Sequence, residues 1–163
     1  MIKKYNYIIS EKNFSKHFFL SELLDSNCAE IPPKNGIYVV EFLEDVIVLN
    51  ELSMSYNYID GVAVKQYPVT DLLKKFQTGD KKTLYIGKAD KTSTLRTRVR
   101  SLIKYGVMRD KKHVGGKAIW QIQNPYNLSL RYCTCQNSSE IEKQLLKNYK
   151  KAYGEYPLAN FRS

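Results

Sequence analysis

Apolar residues recur along this chain with two different periods, and the switches between them mark out its elements. Residues 37–42 (Ile-Tyr-Val-Val-Glu-Phe) and 82–88 are short runs rich in β-branched and aromatic side chains, which suit a pleated, half-buried surface. Both predict strands, and residues 128–133, after the Asn124-Pro125 break, predict a third. Helical spacing takes over elsewhere. Residues 13–24 predict a helix capped by Asn13 with Phe14, Phe18 and Leu24 inward, and residues 69–76 a short helix ending before Gly79. A cap at Thr92 or Ser93 opens a helix to Tyr105 that carries Leu95, Val99, Leu102 and Ile103 as its apolar stripe. The last helix covers residues 140–152 and stops at Gly154. Residues 31–35, with two prolines, form a rigid non-helical lead-in to the first strand. Residues 46–49 are apolar enough for a further strand, and Gly115-Gly116 precede a short helix or turn through residues 118–122. The expectation is an α/β chain of the α+β kind: a small, mostly antiparallel three-stranded sheet flanked by helices.

Composition fits that picture and narrows the class. With 163 residues, 43% hydrophobic and 12% aromatic, the chain can bury a core and is too apolar for disorder. No apolar run approaches the ~18 residues of a bilayer span, and Lys3-Lys4 are not followed by a signal-peptide core, so a cytoplasmic protein without a membrane partner is expected. Cys28, Cys133 and Cys135 lack the spacing of a redox pair or a zinc site and read as plain thiols.

Charge changes the picture more. The net charge is +10, and residues 88–117 hold ten Lys and Arg against Asp90 and Asp110, or +8. Residues 41–60 hold five acidic residues and no Lys or Arg. A field this lopsided attracts a polyanion, because neutralised phosphates release counterions. A solvated basic surface has the same composition.

Several side chains sit where chemistry could use them. On the last helix Ile141, Leu145, Leu146, Tyr149, Ala152 and Tyr153 define an apolar stripe, and Glu142 falls near its middle. A carboxylate aimed at the core must be paired, ligate a metal or line a cavity. Alternatively, Ser139-x-x-Glu142 fits a capping box. On the preceding long helix Arg96 and Arg98 flank the stripe on opposite sides, and either could grip a phosphate with its planar fork. Strand alternation groups Tyr38 with Val40 and Phe42, and Tyr85 with Gly87, whose missing side chain would let a substrate backbone approach. His113, in the basic loop, could relay a proton near neutral pH; His17 reads as a plain helix-surface residue.

The ordered set Gly36-Ile37-Tyr38, Tyr85-Ile86-Gly87, Leu95-x-x-Arg98, His113, Glu142 and Pro157-x-x-Asn160 resembles the GIY-YIG nuclease superfamily. That superfamily includes homing endonucleases, type II restriction enzymes and the nuclease domain of the bacterial excision-repair incision subunit. Tyr85 to Ala89, His113 to Gly116, Ile119-Trp120-Gln121 and the stretch from Glu142 to Asn160 look most like a group of small stand-alone bacterial members. The resemblance implies a single nuclease domain over residues 1–163, with a helical extension at 1–31 and an insertion at 43–80 between the motif strands. It selects Arg98 over Arg96. It also implies a Mg²⁺ (or Mn²⁺) ion held by Glu142, Tyr38 orienting or deprotonating the attacking water, and Tyr85 positioning it. His113 or Lys88 would lower the proton affinity of Tyr38, Arg98 would stabilise phosphoryl charge, and Asn160 would orient site backbone. Lys88, Arg96, Arg100, Lys104, Lys111, Lys112 and Lys117 would contact nucleic acid, with DNA the expectation. The rival is a binding module that kept the fold without catalysis. Oligomeric state is left open, a dimer or protein partner included. Two features depart from the family pattern: 46 residues (39–84) separate the tripeptides, and Lys117 stands where related sequences carry arginine.

Overall fold

The run Gly36–Glu41 is apolar at nearly every position, and it forms the central strand, β2, with all six residues buried. A computed structural model describes residues 10–54, 66–107 and 115–162. In chain order it places β1 (Phe18–Phe19), α1 (Leu20–Asp25), β2, α2 (Val69–Thr78), β3 (Thr83–Ala89), α3 (Leu95–Gly106), β4 (Ser129–Thr134) and α4 (Ser138–Tyr153). Two short 3-10 turns, Lys117–Gln121 and Pro125–Asn127, lead from α3 to β4.

The sheet has four strands, not three, in the order β1-β4-β2-β3, and every pairing is antiparallel. The additional strand comes from the segment that helical spacing assigned to residues 13–24. Phe18 and Phe19 pair with Leu130 and Ser129, and the Phe18 ring stacks on Tyr132 at 6.3 Å. The helix starts only at Leu20, where Glu22 accepts the Phe19 backbone N–H at 2.8 Å and so satisfies an orphan donor of the first turn. His17 therefore lies in the extended stretch before β1 rather than on a helix, with Nδ1 2.7 Å from Ser129 Oγ. Residues 46–49 form no strand: Val46 and Val48 face solvent, and only Leu49 makes a bridge, to Ile122.

Each face of the sheet packs a separate core. Tyr38, Val40 and Tyr85 point to one side, with Leu20, Leu23, Leu95, Val99, Leu102 and Trp120. Ile37, Val39 and Ile86 point to the other, against Leu145, Leu146 and Tyr149 of α4. This is the period-2 alternation of strands meeting the period-3.6 stripe of helices, and each buried aliphatic side chain contributes roughly 1.5–3 kcal/mol.

Polar groups complete the frame. Glu41 is fully buried; Arg131 Nε donates to it at 2.6 Å, and Lys82 and His17 stand 3.4 and 3.8 Å away. One carboxylate of the acidic 41–60 segment is thus paired inside the core. The free edge of β3 is covered by the segment after α4. The Asn160 amide accepts from Ile86 N–H at 2.9 Å and donates to Ile86 C=O at 3.0 Å, while Ala159 N–H reaches Leu84 C=O at 2.8 Å. An exposed row of backbone groups is thereby paired. No helix among the described residues is long and apolar enough to cross a membrane.

Candidate functional site

The register of β2 against β3 puts Tyr38 directly opposite Gly87. A Cβ on Gly87 would lie 2.4 Å from Tyr38 Cζ and 2.6 Å from its oxygen, so the tyrosine ring fills the space above the glycine. The glycine accommodates a neighbouring side chain and not an approaching substrate, which corrects the sequence expectation. Tyr85 meets the Tyr38 ring edge-on at 5.9 Å, an aromatic geometry favoured by the ring quadrupoles. On its outer side Tyr85 is covered by Gly115 and Gly116, where a Cβ would come within 2.2 and 3.1 Å of it. Gly116 also needs its positive φ of 75° to start the following 3-10 turn.

The two tyrosines differ in access. Tyr38 is fully buried, and its hydroxyl faces that of Tyr85 without reaching hydrogen-bond geometry to any described group. Tyr85 is 6% exposed and lines a cleft of about 530 Å³. Burial raises the pKa of Tyr38 well above the ordinary tyrosine value, with Tyr85 adding to the rise; Arg98 pulls the other way and loses. Burial, then Glu142, pushes Tyr85 up to about 12. Both are neutral phenols at physiological pH. Among the described residues, burial outweighs the positive charge of Arg98 at both hydroxyls.

Glu142 lies on the same cleft with 18% of its side chain exposed. The capping-box alternative does not hold, because α4 begins two residues earlier, with Asn137 in the cap position and Ser139 inside the first turn. The Ser139 hydroxyl instead donates to Asp90 and accepts from Lys88 Nζ at 2.8 Å. Lys88 Nζ stands 3.5 Å from Asp90 and 3.8 Å from Glu142. Burial pushes the Glu142 carboxyl up, against the pull of Lys88 and Arg98. Among the described residues, the cost of burying this carboxylate outweighs the cations that face it.

Arg96 and Arg98, which helical geometry could not separate, have different jobs. Arg96 donates to the backbone carbonyls of Ile31 and Ala29 at 2.7 and 3.3 Å, and Arg100 donates twice to the Asn27 carbonyl. Both tie α3 to the turn after α1, where Asn27 and Cys28 have positive φ. Arg98 has no such carbonyl contact among the described residues, and its charge is felt at Tyr38, Tyr85 and Glu142 alike. Lys117 Nζ sits 5.3 Å over the Tyr105 ring and lines the cleft. Lys104 is half-buried near Cys28. His113, Lys111 and Lys112 lie outside the described residues.

Asn160 is buried at the wall of the cleft, and its amide bonds both backbone groups of Ile86, between Tyr85 and Gly87. It is a positioning residue for β3. Behind it stands a residue that sequence reasoning passed over. Lys75, on the buried side of α2 with Leu72 and Phe76, donates to the Asn160 carbonyl at 2.5 Å and lies 3.9 Å from the Phe161 ring centre. Burial lowers its pKa to about 8. Its place in the apolar stripe of α2 was the available signal. Tyr67, Phe161 and Arg162 also line the cleft and carried no sequence signal of their own.

Whether these residues suit a divalent ion turns on the donor set. Among the described residues no group of three or more His, Cys, Asp or Glu side chains is arranged to hold one. A single partly exposed carboxylate on a cleft fits Mg²⁺, which keeps most of its water and is completed by substrate phosphate. It does not fit a dehydrated zinc site. Comparison with models of known protein families, with characterised proteins and with solved structures found no match in any of the three.

Proposed function

We propose that the protein is a divalent-metal-dependent endonuclease of the GIY-YIG type that hydrolyses nucleic-acid phosphodiester bonds, DNA being the expected substrate. One observation carries this reading. Tyr38, Tyr85, Arg98 and Glu142 come from four different elements and lie up to 104 residues apart in sequence, yet Arg98 and Glu142 both bear on the ionisation of the two tyrosines, Arg98 bears on that of Glu142, and Tyr85 and Glu142 line one cleft. Ionisable groups with perturbed environments gathered beside a cleft are the pattern that marks a functional site.

The chain's own groups divide the work as follows. Arg98 grips the scissile phosphate and offsets the charge that builds on its non-bridging oxygens. Tyr85 reaches the cleft and, as a neutral phenol, donates a hydrogen bond to the phosphate or orients the water that attacks it. Tyr38 does not touch substrate; its ring fixes the Tyr85 ring, and its unpartnered hydroxyl is available to Tyr85 when that group donates outward. Lys88, held by Ser139 and Asp90, places a positive charge beside Glu142. A divalent cation bound through Glu142 supplies Lewis-acid stabilisation of the leaving oxygen. Asn160 and Lys75 hold the β3 backbone that carries Tyr85.

Nicking of supercoiled plasmid in Mg²⁺ or Mn²⁺ tests the reading. Wild-type protein is expected to nick, and Glu142→Ala and Tyr85→Phe are expected to lose about 100-fold or more in rate. Nicking that survives both substitutions would sink the site assignment. Salt-sensitive DNA binding with no nicking by wild type on any DNA form would favour the non-catalytic module.

A further inference from the structure

The acidic stretch after β2 carries a backbone edge that the fold leaves open. Along residues 46–50 (Val-Ile-Val-Leu-Asn) burial alternates: Ile47 and Leu49 pack against the core, while Val46 and Val48 keep 75% and 48% of their surface exposed. The segment is paired along one side. Asn50 N–H donates to the Gln121 carbonyl at 2.6 Å and Gln123 N–H to the Val48 carbonyl at 2.9 Å, on either side of the Leu49–Ile122 bridge. In this antiparallel pattern the backbone groups of the bridged residue point away from its partner, and those of the residue two positions earlier point the same way. The N–H and C=O of Ile47 and Leu49 therefore lie on the opposite side, where no described residue bonds to them. Backbone polar groups are not left unpaired away from water, so that side is open to solvent. The edge is held in place nonetheless. Gln121 Nε2 donates to the Asn50 carbonyl at 3.1 Å and the Tyr67 carbonyl at 2.8 Å, and Met54 N–H reaches the Trp120 carbonyl at 2.8 Å. A preformed edge loses little entropy when a partner settles on it.

The chemistry of the edge identifies its occupant. Donors and acceptors repeated at every second residue are met by an extended chain. The exposed valines favour apolar or β-branched neighbours on the incoming strand. Charge then selects the partner. Glu44 and Asp45 precede the edge and Glu51 follows it; all three are exposed, and none has a cation beside it among the described residues. Two copies of this edge paired antiparallel about Val48 would set Asp45 opposite Glu51 at both ends, and like charges directly opposite destabilise a pair. A strand flanked by Lys or Arg meets opposite charge there instead.

We propose that residues 46–50 are a docking edge onto which an extended segment of a partner protein, apolar at alternate positions and flanked by Lys or Arg, adds as a β-strand. Main-chain bonds to Ile47 and Leu49 supply the affinity, and the carboxylates at 44, 45 and 51 supply the choice of partner. The proposal uses no group of the cleft and stands independently of the nuclease reading.

Three labelled peptides serve as probes: one alternating valine and threonine between pairs of lysines, the same peptide with glutamate for lysine, and the lysine peptide with a central proline. Affinity is read by fluorescence anisotropy and backbone amide exchange by NMR. The lysine peptide is expected to bind roughly tenfold more tightly than the glutamate peptide at low salt, by a margin that shrinks as salt rises. The proline peptide is expected to lose most of its binding, since proline removes a ladder donor. Binding of the lysine peptide should slow exchange at Ile47 and Leu49 roughly tenfold or more, while Asn50 and Gln123, already bonded in the free protein, change little. Val48→Lys, and Asp45→Lys combined with Glu51→Lys, are expected to weaken that peptide roughly tenfold. These positions are exposed, thermal unfolding checks that both variants fold, and the wild-type comparison of peptides stands without them. The proposal is overturned by equal affinity for the lysine and glutamate peptides, or by binding that both folded variants keep. It is overturned equally by Ile47 and Leu49 amides that stay fast in the complex, or that are already protected in the free protein by self-association seen in sedimentation.

Discussion

Replacing Gly87 with alanine places one methyl group inside the Tyr38 ring's volume, and the structure sets the size of the conflict. The added carbon would lie 2.4, 2.6 and 2.8 Å from Tyr38 Cζ, its oxygen and Cε1, against about 3.5–4.0 Å for relaxed carbon contacts. The hydroxyl end of the ring must retreat by roughly 1 Å. It has nowhere open to go, because Tyr38 is fully buried and Tyr85 blocks its edge, itself held by Gly115 and Gly116. Overpacking of this kind costs about 1–3 kcal/mol, or a fall of roughly 3–10 °C in melting temperature for a chain of this size. Equilibrium denaturant unfolding of Gly87→Ala, Tyr38→Leu and the double variant checks it. In the Tyr38→Leu background the ring is gone, and Gly87→Ala is expected to cost less than about 0.5 kcal/mol, leaving a coupling of about 1–3 kcal/mol. Gly87→Ala as stable as wild type, or two effects that simply add, would refute the account of why glycine stands opposite Tyr38. The displaced ring also moves Tyr85, so nicking is expected to fall while DNA retention persists.

Other expectations follow from single groups. Tyr38→Phe removes a buried hydroxyl with no described partner, so stability should hold or rise while nicking falls; a loss above about 1 kcal/mol in unfolding experiments would reveal a hydrogen bond that the structure lacks. Arg131→Met removes the shortest partner of the buried Glu41 carboxylate, leaving it Lys82 at 3.4 Å, and should cost about 3 kcal/mol, much of it recovered by adding Glu41→Leu. Glu142 has a raised pKa in the folded state, so its contribution to stability is greatest at low pH and is lost as pH rises through that value. Glu142→Gln should therefore gain on wild type in unfolding midpoint as pH increases from about 4.5, while its nicking is expected to be lost. Lys75 is shifted the other way, to about 8. Its contribution is present above the unfolded lysine value and lost as pH falls through 8, so the stability of wild type relative to Lys75→Met should rise between pH 8 and about 10.5.

Local pattern determined much of this molecule. The apolar runs that became β2, β3 and β4 need only strand composition, and the stripes of α3 and α4 need only helical spacing, because each is an average over neighbouring residues. The same spacing turned Glu142 inward. It failed at Phe18–Phe19, where two aromatic residues fit either period and pairing with Leu130 and Ser129 decided between them. The residues that make a site were settled only by the tertiary fold. Which arginine of α3 faces the tyrosines depends on the turn after α1 offering its carbonyls to Arg96 and Arg100. What Gly87 makes room for depends on the β2–β3 register. Asn160 meets Ile86 across 74 residues and Arg131 meets Glu41 across 90, and Tyr67 reaches Phe161 from the far end of the insertion between the motif strands. Such contacts leave no periodic trace, because a hydrogen bond or a stack between distant segments is specified by where the whole chain brings two side chains and not by what surrounds either one in sequence.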